Sequence, residues 1–282
     1  MSKVISVNEV KEKLIAEMKN LCVVYPEDVY QRLFEAKNNE INDRALTALK
    51  MLEDNARIAK EKNIPICQDT GMSIVFMHVG YGVCFDGDIN KAINEAIATS
   101  YENYYLRKSV VDDPVFDRKN TKNNTPAIIY VDYNDTDYVE IEVMAKGFGS
   151  ENMSAIKMCK PAEGVKGVKD FVIDTVKKAG PNACPPMIVG VGIGGTFDYA
   201  ARLSKKALLR ELDTFNPDSR YRDLENELLE EINKLNIGPL GLKGNTTALK
   251  VNIETYPTHI AGMPVAVNIC CHASRHIRIQ VR

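Results

Sequence analysis

Apolar residues recur at helical spacing through most of the first 62 positions. The pattern predicts helices over 7–21 and 41–62, with a short one between them opened by Pro26, Glu27 and Asp28. Leu46, Leu49 and Leu52 carry the apolar stripe of the long helix, and Asn42 or Asp43 stands where a side chain can cap its first turn. Beyond Pro65 a two-residue period appears. Positions 73–79 read as a strand, 90–105 as a helix, and 126–143 as a hairpin whose strands, 128–131 and 138–143, flank the turn residues Asn134 and Asp135. Helices are predicted again over 168–179, 196–212 and 221–235, and strands over 187–191, 246–253 and 264–269.

Strands and helices intermix without a regular βα repeat. The fold class is therefore mixed α/β (α+β): a helical N-terminal layer, then a mixed β-sheet flanked by helices. No internal repeat or long linker interrupts the chain, so 1–282 reads as a single domain. With 45% hydrophobic and 26% charged residues the composition is that of an ordinary globular protein. No apolar run approaches the ~20 residues of a membrane span, and the first residues lack the apolar core of a secretory signal, so the expected location is cytoplasmic. A net charge of −2 with no basic stripe argues against nucleic acid as a partner.

The seven cysteines, at 22, 67, 84, 159, 184, 270 and 271, follow no disulfide framework or zinc-ribbon spacing. They read as reduced thiols, either small buried hydrophobes or ligands for a soft metal. Three stand in unusual company. Cys67 is followed by Gln68 and Asp69 in a loop between a helix and a strand. Cys184 precedes Pro185 and Pro186, which bar it from a helix. Cys270 and Cys271 end a strand beside His272, Arg275 and His276, and on an extended chain only one of the pair faces a given ligand. Lys146, Gly147 and Gly149 form a glycine-bearing turn suited to a carboxylate, and Arg107 follows a helix end where it can clamp one bidentately. Each of these features, like His259 before Gly262, also has an ordinary structural reading.

Together the stretches PICQDTGM at 65–72, KGFGSENMS at 146–154, CPP at 184–186, VGVGIGGTFDYAA at 189–201, NIETYPTHIAG at 252–262 and CCHASRH at 270–276 resemble one family nearly end to end. It is the alpha subunit of the iron–sulfur, oxygen-sensitive (class I) fumarate hydratases and the related L(+)-tartrate dehydratases. The resemblance implies a 4Fe-4S cluster held by Cys67, Cys184 and Cys271, with Cys270 as the adjacent alternative. It implies a small dicarboxylate bound by Gln68, Arg107, Gly147, Gly149 and His259, with Asp69 taking part in proton transfer. Reversible hydration of fumarate to L-malate is the expected reaction, and L(+)-tartrate dehydration the alternative. The family's remaining catalytic groups lie in a C-terminal half that this chain lacks, so a separate beta subunit is expected to share the active site, in an α2β2 heterotetramer.

Two rival readings come from other classes. Gly190, Gly192 and Gly195 satisfy the G-x-G-x-x-G of a dinucleotide-binding turn, although the acidic residue expected about 20 positions later does not follow a second strand. The other rival is a scaffold or regulator whose thiols bind zinc.

Overall fold

A computed structural model describes residues 3–282. In chain order its elements begin with β1 (Lys3–Ile5), α1 (Val7–Val23), α2 (Glu27–Asn38), α3 (Asp43–Lys62), β2 (Met72–Gly80), β3 (Val83–Phe85) and α4 (Ile89–Asn103). Then come β4 (Ile128–Asn134), β5 (Val139–Lys146), α5 (Phe148–Glu151), β6 (Ala155–Cys159), α6 (Gly164–Ala179) and β7 (Met187–Gly195). The last are α7 (Phe197–Ala207), α8 (Ser219–Lys234), β8 (Ala248–Thr258), β9 (Met263–Cys270) and β10 (His276–Val281). The mixed α/β class expected from the sequence is the class observed. No helix among the described residues is long and apolar enough to cross a membrane. Two compact units make up the chain: Met1–Pro26, Ala56–Gly147 and Arg275–Arg282 form the first, and Glu27–Asn55 with Phe148–Ser274 the second.

The first unit is built on a four-stranded sheet in the order β10-β5-β2-β4. Val75, Met77 and Val79 of β2 alternate onto one face with Val139, Ile141 and Val143 of β5. There they meet Val10, Leu14, Met18 and Leu21 of α1, and Ile93, Ala96, Ile97 and Tyr101 of α4, whose first turn is capped by Asp88 accepting from the Lys91 amide. The other face is more polar. On it the Glu142 carboxylate lies 3.6 Å from His78 Nε2 and 2.7 Å from an Arg278 guanidinium nitrogen. Burial alone would raise the Glu142 carboxyl, but hydrogen bonds and charge from His78 and Arg278 outweigh it and hold the group below the usual carboxylate range.

The hairpin predicted over 126–143 does not form. Both strands exist, but β2 lies between them, parallel to β4 and antiparallel to β5. The connecting residues cross the end of β2 at Gly80, whose amide donates to the Tyr138 carbonyl at 3.1 Å. A Cβ on Gly80 would stand 2.1 Å from the Thr136 carbonyl oxygen, so the crossover needs glycine there. Alternation marks a strand but does not name its neighbour. The strands β1, β3, β6 and β10 were not predicted at all, being short or following loop-like segments.

In the second unit the order is β6-β9-β7-β8, with β7 parallel to β8 and antiparallel to β9. Val189 and Val191 of β7 point into a core shared with Val168, Val172 and Val176 of α6 and Leu228 and Ile232 of α8. The alternate positions, Gly190 and Gly192, face α7. A Cβ on Gly190 would come 2.2 Å from the Ser204 carbonyl oxygen, and one on Gly192 would come 2.1 Å from that of Ala200. These glycines sit inside a strand and let a helix approach it, so they are not a phosphate-binding turn. The dinucleotide reading is thereby corrected. Asn42 does cap α3 as expected, accepting from the Arg44 and Ala45 amides at 3.0 and 3.2 Å.

Candidate functional site

In the first unit, Asp69 lies in the loop that leads from α3 into β2. Gly71, at φ +74°, makes that loop possible: a Cβ there would lie 2.7–2.8 Å from the Lys146 backbone. Asp69 Oδ1 accepts from the Gly71 amide at 3.0 Å. Its other oxygen, Oδ2, lies against Gly147, 3.2 Å from where a Cβ would stand. The Thr70 hydroxyl donates to the Arg107 carbonyl at 2.8 Å, which ties the arginine's exposed segment to the same loop. Asp69, Arg107 and Gly147, three of the residues expected at the site, are therefore gathered here, with Cys67 and the exposed Gln68 directly before Asp69.

Three donors missed in the sequence hold this loop from beneath. The Arg275 side chain, 1% exposed, donates from Nη2 to the Asp69 carbonyl at 2.7 Å. The Tyr101 hydroxyl donates to the Thr70 carbonyl at 2.7 Å and lies 3.3 Å from that of Gly71. Asn124 Nδ2 donates to the Gly71 carbonyl at 3.1 Å. Burial raises the Tyr101 phenol above its ordinary range, so it stays protonated and a donor at any physiological pH. Arg275 was visible in the CCHASRH segment, but no sequence signal marked it as buried. Tyr101 continues the apolar stripe of α4 and reads as core until its hydroxyl is followed.

In the second unit, Cys184 is exposed and adopts φ +50°, just before the cis peptide Pro185–Pro186. The His272 amide donates to the Cys184 carbonyl at 3.2 Å, so the segment carrying Cys271 runs beside it. Helix α5, which carries Gly149, packs against β9 and the 180–183 turn that precedes Cys184. Cys184, Cys271 and Gly149 thus collect near the start of β7. His259 does not join them. It is exposed in the turn after β8, where Gly262 donates to its carbonyl and Ala261 to its Nδ1. Because β8 runs parallel to β7, that turn lies beyond the far end of β7, about 25 Å away for nine residues of strand.

All seven cysteines are thiols outside any disulfide. Cys22, Cys159 and Cys270 are buried, and burial lifts the Cys22 thiol to about 11. Cys67, Cys184 and Cys271 are open to solvent to differing degrees, as is Cys84. Accessible thiols on irregular segments have the donor chemistry that a cluster iron takes. Among the described residues no three His, Cys, Asp or Glu side chains already stand together as a metal cage.

The fumarate hydratase (Fumerase) family model matches residues 11–280 of the chain. That match, over nearly the whole length, makes the protein one of the hydro-lyases. It belongs to the class I fumarate hydratase and L(+)-tartrate dehydratase alpha-type family, as its motifs led one to expect. A protein of Methanocaldococcus jannaschii provisionally named L(+)-tartrate dehydratase subunit alpha is 40% identical over 274 residues, covering 95% of each chain. The L(+)-tartrate dehydratase subunit alpha of Escherichia coli K12 is 35% identical over 254 residues, 89% of this chain and 83% of that one. The protein of the same name in Shigella sonnei is also 35% identical over 254 residues, again 89% of this chain and 83% of its own.

Proposed function

We propose that this chain is the alpha subunit of a 4Fe-4S-dependent hydro-lyase acting on a four-carbon dicarboxylate, in complex with a separate beta subunit. The observation that carries the reading is the loop at Asp69, where a carboxylate, a glycine that leaves it room and an arginine segment are tied together in a chain of this family. The names of the relatives favour L(+)-tartrate as the substrate, with loss of water giving oxaloacetate through its enol. Reversible hydration of fumarate to L-malate, the reaction first expected from the motifs, is the second reading, favoured by the description of the family model.

Cys67, Cys184 and Cys271 are the residues that would hold the cluster, and Cys270 is set aside because its side chain packs into the sheet core. A cluster with three protein thiolates supplies an iron with an open position, a Lewis acid for breaking or making a C–O bond. Asp69 moves the proton at the neighbouring carbon, its carboxylate oriented by the Gly71 amide. The Arg107 guanidinium clamps a substrate carboxylate through paired N–H donors. Gly147, the expected carboxylate-binding glycine, leaves the Asp69 carboxylate its place, since a Cβ there would stand 3.2 Å from Oδ2. Gln68 and Gly149 complete the proposed dicarboxylate-binding set; His259 is left out of it, because its turn lies at the far end of β7 from Cys184 and Cys271.

The test is anaerobic co-expression with a beta-type chain, followed by iron and acid-labile sulfide analysis and assays with L(+)-tartrate, fumarate and L-malate. A brown protein that releases oxaloacetate from L(+)-tartrate supports the first reading, and one that interconverts only fumarate and malate supports the second. Turnover without iron or sulfide would refute the cluster assignment.

A further inference from the structure

The loop that carries Asp69 presents three consecutive carbonyl oxygens, and each accepts from a different part of the first unit. Asp69 takes Arg275 Nη2 at 2.7 Å, Thr70 takes the Tyr101 hydroxyl at 2.7 Å, and Gly71 takes Asn124 Nδ2 at 3.1 Å. The donors come from the segment before β10, from α4 and from the segment before β4. All three side chains are buried. One hydrogen bond leaves a loop free to swing about its remaining contacts. Three donors on successive peptide units fix the orientation of each peptide plane, and so the direction in which the Asp69 carboxylate leaves the backbone.

Asn124 does more than its neighbours. Its Oδ1 accepts from the Ser109 and Val110 amides at 2.7 and 3.2 Å, two and three residues beyond Arg107. The Thr70 hydroxyl holds the Arg107 carbonyl from the other side. The backbone on either side of Arg107 is thus referred to the same loop as Asp69. Asn124 has φ +60°, a conformation that asparagine tolerates better than most residues.

We propose that Tyr101, Asn124 and Arg275 are positioning residues for the reaction, fixing the Asp69 loop through its three carbonyls, and that Asn124 also sets the distance between Asp69 and Arg107. The assignment rests on the reading above, in which Asp69 moves the proton and Arg107 binds a carboxylate. Neither Tyr101 nor Asn124 touches the substrate in this scheme. Their contribution is orientation, and a misplacement of about 1 Å in a reacting group costs up to ~100-fold in rate.

Two substitutions separate orientation from folding. Tyr101→Phe keeps the buried ring and removes only the hydroxyl. Asn124→Gly keeps the left-handed backbone and removes all three side-chain hydrogen bonds. In the complex with its beta-type partner, Tyr101→Phe is expected to lower kcat by roughly 10- to 100-fold with KM within about twofold. Asn124→Gly should lower kcat and raise KM together, because Arg107 loses its reference as well. Asn124→Asp, which keeps the acceptor for Ser109 and Val110 but sets an oxygen against the Gly71 carbonyl, should restore KM and leave kcat low.

Hydrogen exchange of the full chain gives a readout free of any assumption about the reaction. The Gly71 amide, which donates to Asp69 Oδ1, should exchange about tenfold faster or more in Tyr101→Phe and Asn124→Gly, while core amides of β2 and β5 keep their protection. Unchanged Gly71 exchange overturns the proposal, as does wild-type kcat in Tyr101→Phe. A drop in melting temperature with unaltered kcat and KM overturns it too, leaving a purely structural role. If the wild-type complex turns over no diacid, the functional reading has failed, and the Gly71 exchange rates alone then decide whether the three donors fix the loop.

Discussion

Cys270 and Cys271 are adjacent in sequence, yet Cys270 is 4% exposed as the last residue of β9, whereas Cys271 lies past the strand end and is half-buried. The alternation of an extended chain turns one thiol into the core and leaves the other partly exposed. Cys271→Ser should therefore abolish iron binding and activity. Cys270→Ser should retain the iron and lose about 1–2 kcal/mol of stability, for burying a hydroxyl in place of a thiol. Iron analysis and urea denaturation of the two variants check this. On the metal-free chain, iodoacetamide should label Cys67, Cys84, Cys184 and Cys271 before unfolding, and Cys22, Cys159 and Cys270 only after it.

Gly147 has no backbone need to be glycine, but a Cβ there would stand 3.2 Å from Asp69 Oδ2. Gly147→Ala should displace that carboxylate by a few tenths of an ångström while leaving the fold intact. A loss of roughly 10- to 100-fold in kcat/KM, with a melting temperature near that of the parent, is the expected result. Equal activity in the two proteins would show that the contact between Gly147 and Asp69 has no bearing on turnover.

The Glu142 carboxyl is held below its ordinary value of 4.5 by His78 and Arg278, against the opposing effect of burial. A group whose folded pKa is depressed stabilises the fold above its unfolded pKa, and that contribution disappears as pH falls through the folded value. The first unit should accordingly lose stability below about pH 4.5. Glu142→Gln should cost about 1–2 kcal/mol at pH 7, a modest figure because Arg278 is half exposed and solvent screens it. Thermal melts between pH 3 and pH 7 should show a shallower acid limb in the variant than in the parent.

Gly192→Ala brings a methyl group to 2.1 Å from a helix backbone oxygen, a contact that no side-chain rotation relieves. The expected cost is about 3 kcal/mol or more, with Gly190→Ala similar, read from chemical denaturation. Nicotinamide dinucleotides should neither bind the parent nor protect it from unfolding, which a fluorescence titration checks.

The elements legible in the sequence were those with a long periodic signal: α1, α3, α4, α6, α8 and the central strands β2, β7 and β9. What escaped depended on partners distant in the chain. The 128–131 and 138–143 segments announce strands but not that β2 lies between them, and Gly80, where the chain crosses, carried the one hint. β10 follows a segment rich in Cys, His and Arg and reads as the end of a loop. The motifs brought Asp69, Arg107 and Gly147 into one proposed site, and the first unit places them together. They gave no sign that His259 lies at the other end of its sheet, because a motif records which residues occur and not where a strand carries them. Tyr101 and Arg275 were hidden for another reason: each looks like a core or solvent-facing residue until the carbonyl it serves is identified.

The first unit is sewn from three pieces of chain, and its last strand, β10, comes from beyond the whole of the second unit's long segment and pairs with β5 from His276↔Met144 to Val281↔Val139. A ribosome must deliver all of Phe148–Ser274 before β5 gains that neighbour and Arg275 reaches the Asp69 carbonyl. During synthesis the unit therefore waits with an open edge while everything from Phe148 to Ser274 emerges, and its completion is a late, long-range event. Vectorial synthesis thus leaves the Asp69 loop without its Arg275 anchor until residues 148–274 have been made.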